Sequence, residues 1–164
     1  MRFFAGVFAG LLLAAVLTLS LAPSYAQGPR VAGIRNVNHV GIAVDNFDES
    51  VAFYTQKLGF REVERPKNDQ RQTTLLFVQA GPNTFIEIAP SNANRPQGLT
   101  HLGVQVENAA ATIASLKEHG GMATEPRSVG MQWTISSVSS PGTRIELTEL
   151  GPQSSLEKAT ASFK

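Results

Sequence analysis

The chain contains one unit written twice. Residues 37–46 read VNHVGIAVDN, and 62 residues further on residues 99–108 read LTHLGVQVEN. The correspondence continues to the far end of the unit, where FIEIAP (residues 85–90) matches RIELTE (residues 144–149). Self-similarity at a nearly fixed offset restricts the fold to a doubled unit before any element is assigned. In the first copy, residues 37–44 alternate as a buried strand and Asp45-Asn46 supplies helix-cap chemistry. Phe47, Val51, Tyr54 and Leu58 then fall on one apolar helix face, closed by Gly59. Residues 60–64, 73–79 and 84–89 read as three strands separated by turns at Pro66-Lys67-Asn68-Asp69 and Gly81-Pro82-Asn83. The second copy repeats the order. It has a strand at 99–106, a helix face on Ala109, Ile113 and Leu116, and strands at 122–125, 132–138 and 143–149. The expected class is α+β: two βαβββ modules, residues 37–91 and 99–150, joined by a linker containing Pro96 and Gly98.

The flanks read differently. Met1 and Arg2 precede a nearly continuous apolar run to Leu21, Pro23 breaks it, and Ser24-Tyr25-Ala26 offers a small-residue cleavage site. Residues 1–26 are therefore expected to be a secretory signal peptide, and the remainder an exported protein, periplasmic or secreted; the other reading of the run, nearly long enough to span a bilayer, is an uncleaved membrane anchor. Residues 27–36 read as a loose leader and 151–164 as a polar, weakly helical tail with no assigned function. The chain has no cysteine, which excludes disulfides, thiolate nucleophiles and thiolate metal ligands. Without Arg2 there are 13 basic and 13 acidic residues and no basic block, so neither nucleic acid nor an acidic membrane surface is an expected partner.

Strand alternation then selects the chemistry. His39 shares a strand face with Gly41 and Ala43, and His101 shares one with Gly103 and Gln105; both face away from the side able to receive a helix. Glu87 lies between Ile86 and Ile88, and Glu146 between Ile145 and Leu147. A mid-strand carboxylate among aliphatics is costly unless solvated, paired or bound to a cation. Each module thus contributes one histidine and one glutamate. If the modules are related by a pseudo-twofold axis, His39, Glu87, His101 and Glu146 converge. Two imidazoles and two carboxylates suit a divalent metal of intermediate hardness: zinc, nickel, cobalt, manganese or iron.

With those motifs in view, HVGIAV…FY…LGF, FIEIAP, THLGVQVEN and GTRIELTE resemble the vicinal oxygen chelate superfamily, which includes glyoxalase I, methylmalonyl-CoA epimerase, extradiol dioxygenases and bleomycin resistance proteins. The resemblance spans residues 37–150 and implies a glyoxalase-like pair of curled mixed sheets with a metal cleft between them. It is closest to glyoxalase I and methylmalonyl-CoA epimerase. It implies His39, Glu87, His101 and Glu146 as metal ligands, with Glu146 also the catalytic base. The implied activity is a metal-dependent lyase or isomerase that abstracts a proton next to a carbonyl of a small oxygenated substrate. Where glyoxalase I usually carries an arginine for the glutathione carboxylate, four residues after its first histidine, this chain has Ala43. The other reading is an exported binding protein of the bleomycin-resistance type that sequesters a small molecule without chemistry.

Gln105 and Arg144 share the ligand face of their strands and Trp133 begins a strand near the cleft; all three are candidate substrate contacts. His119 closes a helix, where a positive charge is favourable. The sequence leaves open whether the four ligands meet within one chain or across a homodimer that exchanges modules.

Overall fold

The computed structural model describes residues 30–130 and 132–163, and its main compact unit begins at Val31. The expected signal peptide lies outside the described residues. Among the described residues no helix is long and apolar enough to cross a membrane.

The first module runs β1 (Ile34–Val44), α1 (Phe47–Ala52), a π-helical turn (Phe53–Lys57), β2 (Arg61–Glu64), β3 (Leu76–Gly81) and β4 (Thr84–Pro90). The second runs β5 (Gly98–Val106), α2 (Ala109–Glu118), β6 (Arg127–Ser128), β7 (Trp133–Val138) and β8 (Arg144–Leu150). A third helix, α3 (Ser155–Ala161), follows. The duplicated cap chemistry is used identically: Asn46 Oδ1 accepts from the Glu49 amide and Asn108 Oδ1 from the Ala111 amide.

The strands form one eight-stranded sheet in the order β2-β3-β4-β1-β5-β8-β7-β6. Each module supplies four neighbouring strands, with one parallel pair per module, β1–β4 and β5–β8. The modules meet along an antiparallel β1–β5 ladder, so the two expected sheets are halves of one continuous sheet. One face is covered by the helices. Leu76, Val78 and Ile88 pack with Phe47, Val51 and Tyr54, while Leu147 and Val106 pack with Ala109 and Ile113. The other face carries Phe77, Phe85 and Trp133.

Several boundaries differ from the sequence reading. β1 begins at Ile34, three residues inside the expected leader, because the chain from Gly33 is already tied to the second module: the Glu107 amide donates to the Gly33 carbonyl (2.9 Å). The strand expected over 122–125 is reduced to a single bridge, Ala123 with Val138, and the short β6 forms only after Pro126, which cannot donate to a ladder. Leu58 is exposed rather than part of the helix stripe. The π turn, closed by the Leu58 amide on the Phe53 carbonyl, adds a residue and rotates Leu58 outward; Phe60 takes its place against Tyr54.

The C-terminal segment is the largest departure. Ser154 caps α3 by accepting from the Glu157 amide, and Leu156 is fully buried against Phe77, Phe85 and Trp133 on the face opposite α1 and α2. Gln105 Nε2 donates to Glu157 Oε1 (2.7 Å), and Arg61 and Gln79 donate to the Ala159 carbonyl. Leu156→Ala is expected to destabilise the fold by about 2–5 kcal/mol, the cost of a core cavity. A urea midpoint within error of wild type would show that α3 does not pack as described.

Candidate metal centre

The register of the four central strands builds the site. Across β4, β1, β5 and β8 one row reads Glu87, Gly41, His101, Arg144 and the next reads Phe85, His39, Gly103, Glu146. Each histidine therefore faces the glycine of the other module, and beyond that glycine lies a carboxylate. The room beside each ring is made by the opposite repeat. A β-carbon on Gly103 would collide with the His39 ring, and one on Gly41 with the His101 ring. Each glycine shares a strand face with its own module's histidine, but the room it leaves is used by the histidine of the other module.

The result is two buried imidazoles whose Nε2 atoms face each other at 3.1 Å. Glu146 Oε1 lies 3.9 Å from His39 Nε2, and Glu87 Oε2 lies 3.6 Å from His101 Nε2. The donor atoms of His39, His101 and Glu146 all fall within 4.8 Å of one another; Glu87 stands beside His101 and outside that group. All four residues come from one chain. Ligand atoms about 2.0–2.2 Å from a shared ion lie roughly 3–3.5 Å apart, so this donor set fits a divalent cation with only small closure.

Electrostatics set the charge state of three of the four groups. Burial, countered in part by Glu87, lowers the His39 pKa to about 4, so the ring is neutral and able to ligate at physiological pH. Burial pushes the Glu146 carboxyl above its ordinary value, against the pull of His101. Burial acts the same way on Glu87, but the His101 ring beside it, with His39 and Arg144, outweighs it and holds Glu87 low.

These shifts set an acid dependence for the metal-free protein. The unfolded His39 takes up a proton below about 6.5 and the folded one only near 4. Its contribution is therefore complete above 6.5 and lost as pH falls to 4, by about 3 kcal/mol at most. Glu87 adds a loss in the same direction below 4.5, whereas Glu146 opposes both, since its ionisation costs stability as pH rises through its raised value. Urea midpoints should fall between pH 7 and 4.5, and His39→Gln should flatten that slope. A slope unchanged in His39→Gln would contradict the assignment.

Above the ligands opens a cleft of about 420 Å³. Its walls include Leu75, Phe77, Val129 and Trp133, and its polar lining includes Glu87, Glu146, Lys67, Arg127 and Arg144. Arg144 and Trp133 thus stand where a substrate contact would be. Gln105 does not: it is buried and spent on Asn83 and Glu157, holding α3 to the sheet, because β5 carries it past the cleft toward the C-terminal helix. The sequence reading missed Lys67 and Arg127, which lie in a loop and a two-residue strand with no periodic signal. It also passed over Asn38 and Thr100, each of which touches a histidine of the candidate centre.

A doubled βαβββ sheet with histidine and glutamate from each half defines the class. Residues 36–147 match the Glyoxalase/Bleomycin resistance protein/Dioxygenase superfamily, and the chain belongs to that family. It is 29% identical to the lactoylglutathione lyase of Salmonella typhimurium over 68% of this chain and 90% of the relative. It is 27% identical to human mitochondrial methylmalonyl-CoA epimerase over 54% of this chain and 56% of the relative. Among solved structures, methylmalonyl-CoA epimerase from Mycobacterium tuberculosis shares the fold at a TM-score of 0.64, with 22% identity over 79% of this chain and 97% of that one.

Proposed function

We propose that this protein is a metal-dependent lyase or isomerase that abstracts a proton next to a carbonyl of a small oxygenated substrate. The observation that carries the reading is the convergence of His39, His101 and Glu146, with Glu87 alongside, at the cleft. Relatives named as a lyase and an epimerase support it. His39, His101 and Glu146, with Glu87 beside them, would hold the ion, which when bound would supply Lewis-acid stabilisation of negative charge on substrate oxygen. Glu146 is the base. Burial raises its proton affinity, which brings a carboxylate closer to the range useful for general-base work near neutrality. Phe77 and Trp133 wall the space and exclude water from one side. Lys67, Arg127 and Arg144 at the same cleft favour a substrate bearing an anionic oxygen group. With Ala43 in place of the glutathione-carboxylate arginine of glyoxalase I, that group is held from the second module and the β2–β3 loop instead. The apolar run after Arg2 supports export, and the proposed activity is periplasmic or secreted.

The test combines metal analysis of the purified protein with solvent deuterium exchange into a panel of 2-oxo compounds and their thiol adducts. About one divalent ion per chain and catalysed exchange support the reading. A metal-free protein that binds panel compounds without exchange supports sequestration instead.

A further inference from the structure

Of the three register shifts along the β1–β5 ladder, one lies at the outer end of β1 and the other two flank the histidines of the centre. Val37 opposes Val104 and His39 opposes Gly103, so Asn38 is an extra residue on β1. Gly41 opposes His101 and Ile42 opposes Leu99, so Thr100 is an extra residue on β5. Each extra residue immediately precedes a histidine of the centre. On a regular strand, neighbours point to opposite faces; a bulge re-aims one of them. Both side chains accordingly reach the ring that follows: Asn38 Oδ1 lies 2.9 Å from His39 Nδ1, and Thr100 Oγ1 lies 2.9 Å from His101 Nδ1. Asn38 is fully buried and its Nδ2 has no partner among the described residues. A buried amide left half-satisfied costs about 1–3 kcal/mol, so its retention calls for a role that packing does not supply.

The bond directions differ between the halves. Asn38 Oδ1 is an acceptor, so His39 carries its proton on Nδ1 and presents a lone pair at Nε2. His101 Nδ1 also lies 3.0 Å from Arg144 Nη2, which can only donate. With Arg144 in place, the His101 proton sits on Nε2 and is donated to His39 Nε2. One directed chain results, from Arg144 through His101 and His39 to Asn38. In that state His101 has no lone pair for a cation at Nε2. Thr100 Oγ1 is the alternative partner, because a hydroxyl can accept the proton when it resides on Nδ1.

We infer that Asn38 and Thr100 are the positioning residues of the metal centre, each accepting a hydrogen bond from the Nδ1–H of the histidine after it, and that Arg144 competes with Thr100 for His101. The inference rests on the metal-centre reading above. Its chemistry is general: the partner of the outer ring nitrogen fixes which nitrogen can ligate. The apparent twofold centre is thereby unequal, with His39 always ready and His101 ready only when Arg144 withdraws.

Nitrogen-15 NMR of the ring protons, combined with zinc affinity by chelator competition, tests it. Metal-free wild type should show the proton on Nδ1 of His39 and on Nε2 of His101; one equivalent of zinc should move the second to Nδ1. Thr100→Val and Asn38→Leu should weaken zinc binding by about 10–100-fold, while Thr100→Ser and Asn38→Asp recover most of it. A purely structural role predicts no such recovery by chemistry and no tautomer change. Wild-type affinity in folded Thr100→Val and Asn38→Leu overturns the inference, as does the same tautomer on both rings of the metal-free protein. If wild type binds no zinc, the metal-centre reading fails, and the metal-free tautomers still decide what Asn38 and Arg144 impose.

Discussion

Glu146→Gln is expected to lower solvent deuterium exchange into a turned-over 2-oxo compound by ~10²–10⁴-fold, the usual weight of a positioned general base. The substitution keeps shape and removes the one carboxylate that is both within the three-residue donor group and raised in proton affinity by burial. The fold should survive. Burial penalises the ionised form of this carboxylate, and the isosteric amide removes that penalty, so the variant should melt close to wild type. Glu87→Gln makes the control. Glu87 lies outside the donor group and is held in its ionised form by its surroundings, so its loss should weaken ion binding while leaving measurable exchange at saturating metal. Equal losses in the two variants would deny Glu146 a distinct role as base.

Gly103→Ala should remove a ligand that belongs to the other module. The added methyl falls on the His39 ring, which is fully buried and packed edge-on against Phe77 at 5.8 Å. Overpacking at such a position costs about 1–3 kcal/mol, and a ring pushed aside by about an ångström loses on the order of 100-fold in function. Gly41→Ala should do the same to His101. The informative result is the crossing. NMR of Gly103→Ala should show His39 displaced more than His101, and the reverse in Gly41→Ala. Displacement of the same-module histidine would contradict the antiparallel β1–β5 register.

Much of this was legible in the residues. The repeat fixed the element order, and alternation placed His39, Glu87, His101 and Glu146 on the face away from α1 and α2. Alternation could not show that Gly41 and Gly103 serve each other's modules, because that depends on how β1 pairs with β5. Nor could it show Asn38 and Thr100 reaching the ligand face, since a bulge breaks the period on which the reading relies. The tail was misread for another reason. Ser154 and Glu157 form a Ser-x-x-Glu start with Leu156 between them, a usable capping signal. The polar residues around it hid a helix of about two turns whose apolar side, Leu156 and Ala159, closes the core beside the site. Gln105 was misplaced because sharing a strand face with His101 does not bring a residue to the cleft; four positions along β5 take it to Glu157.

X-ray absorption on the zinc-loaded protein measures the central claim most directly. One zinc per chain, ligated by two imidazole nitrogens with oxygen donors completing the shell, is the predicted result, and His39→Ala and His101→Ala should each remove one imidazole from the spectrum. A shell without imidazole, or wild-type zinc binding in the double variant, would contradict it.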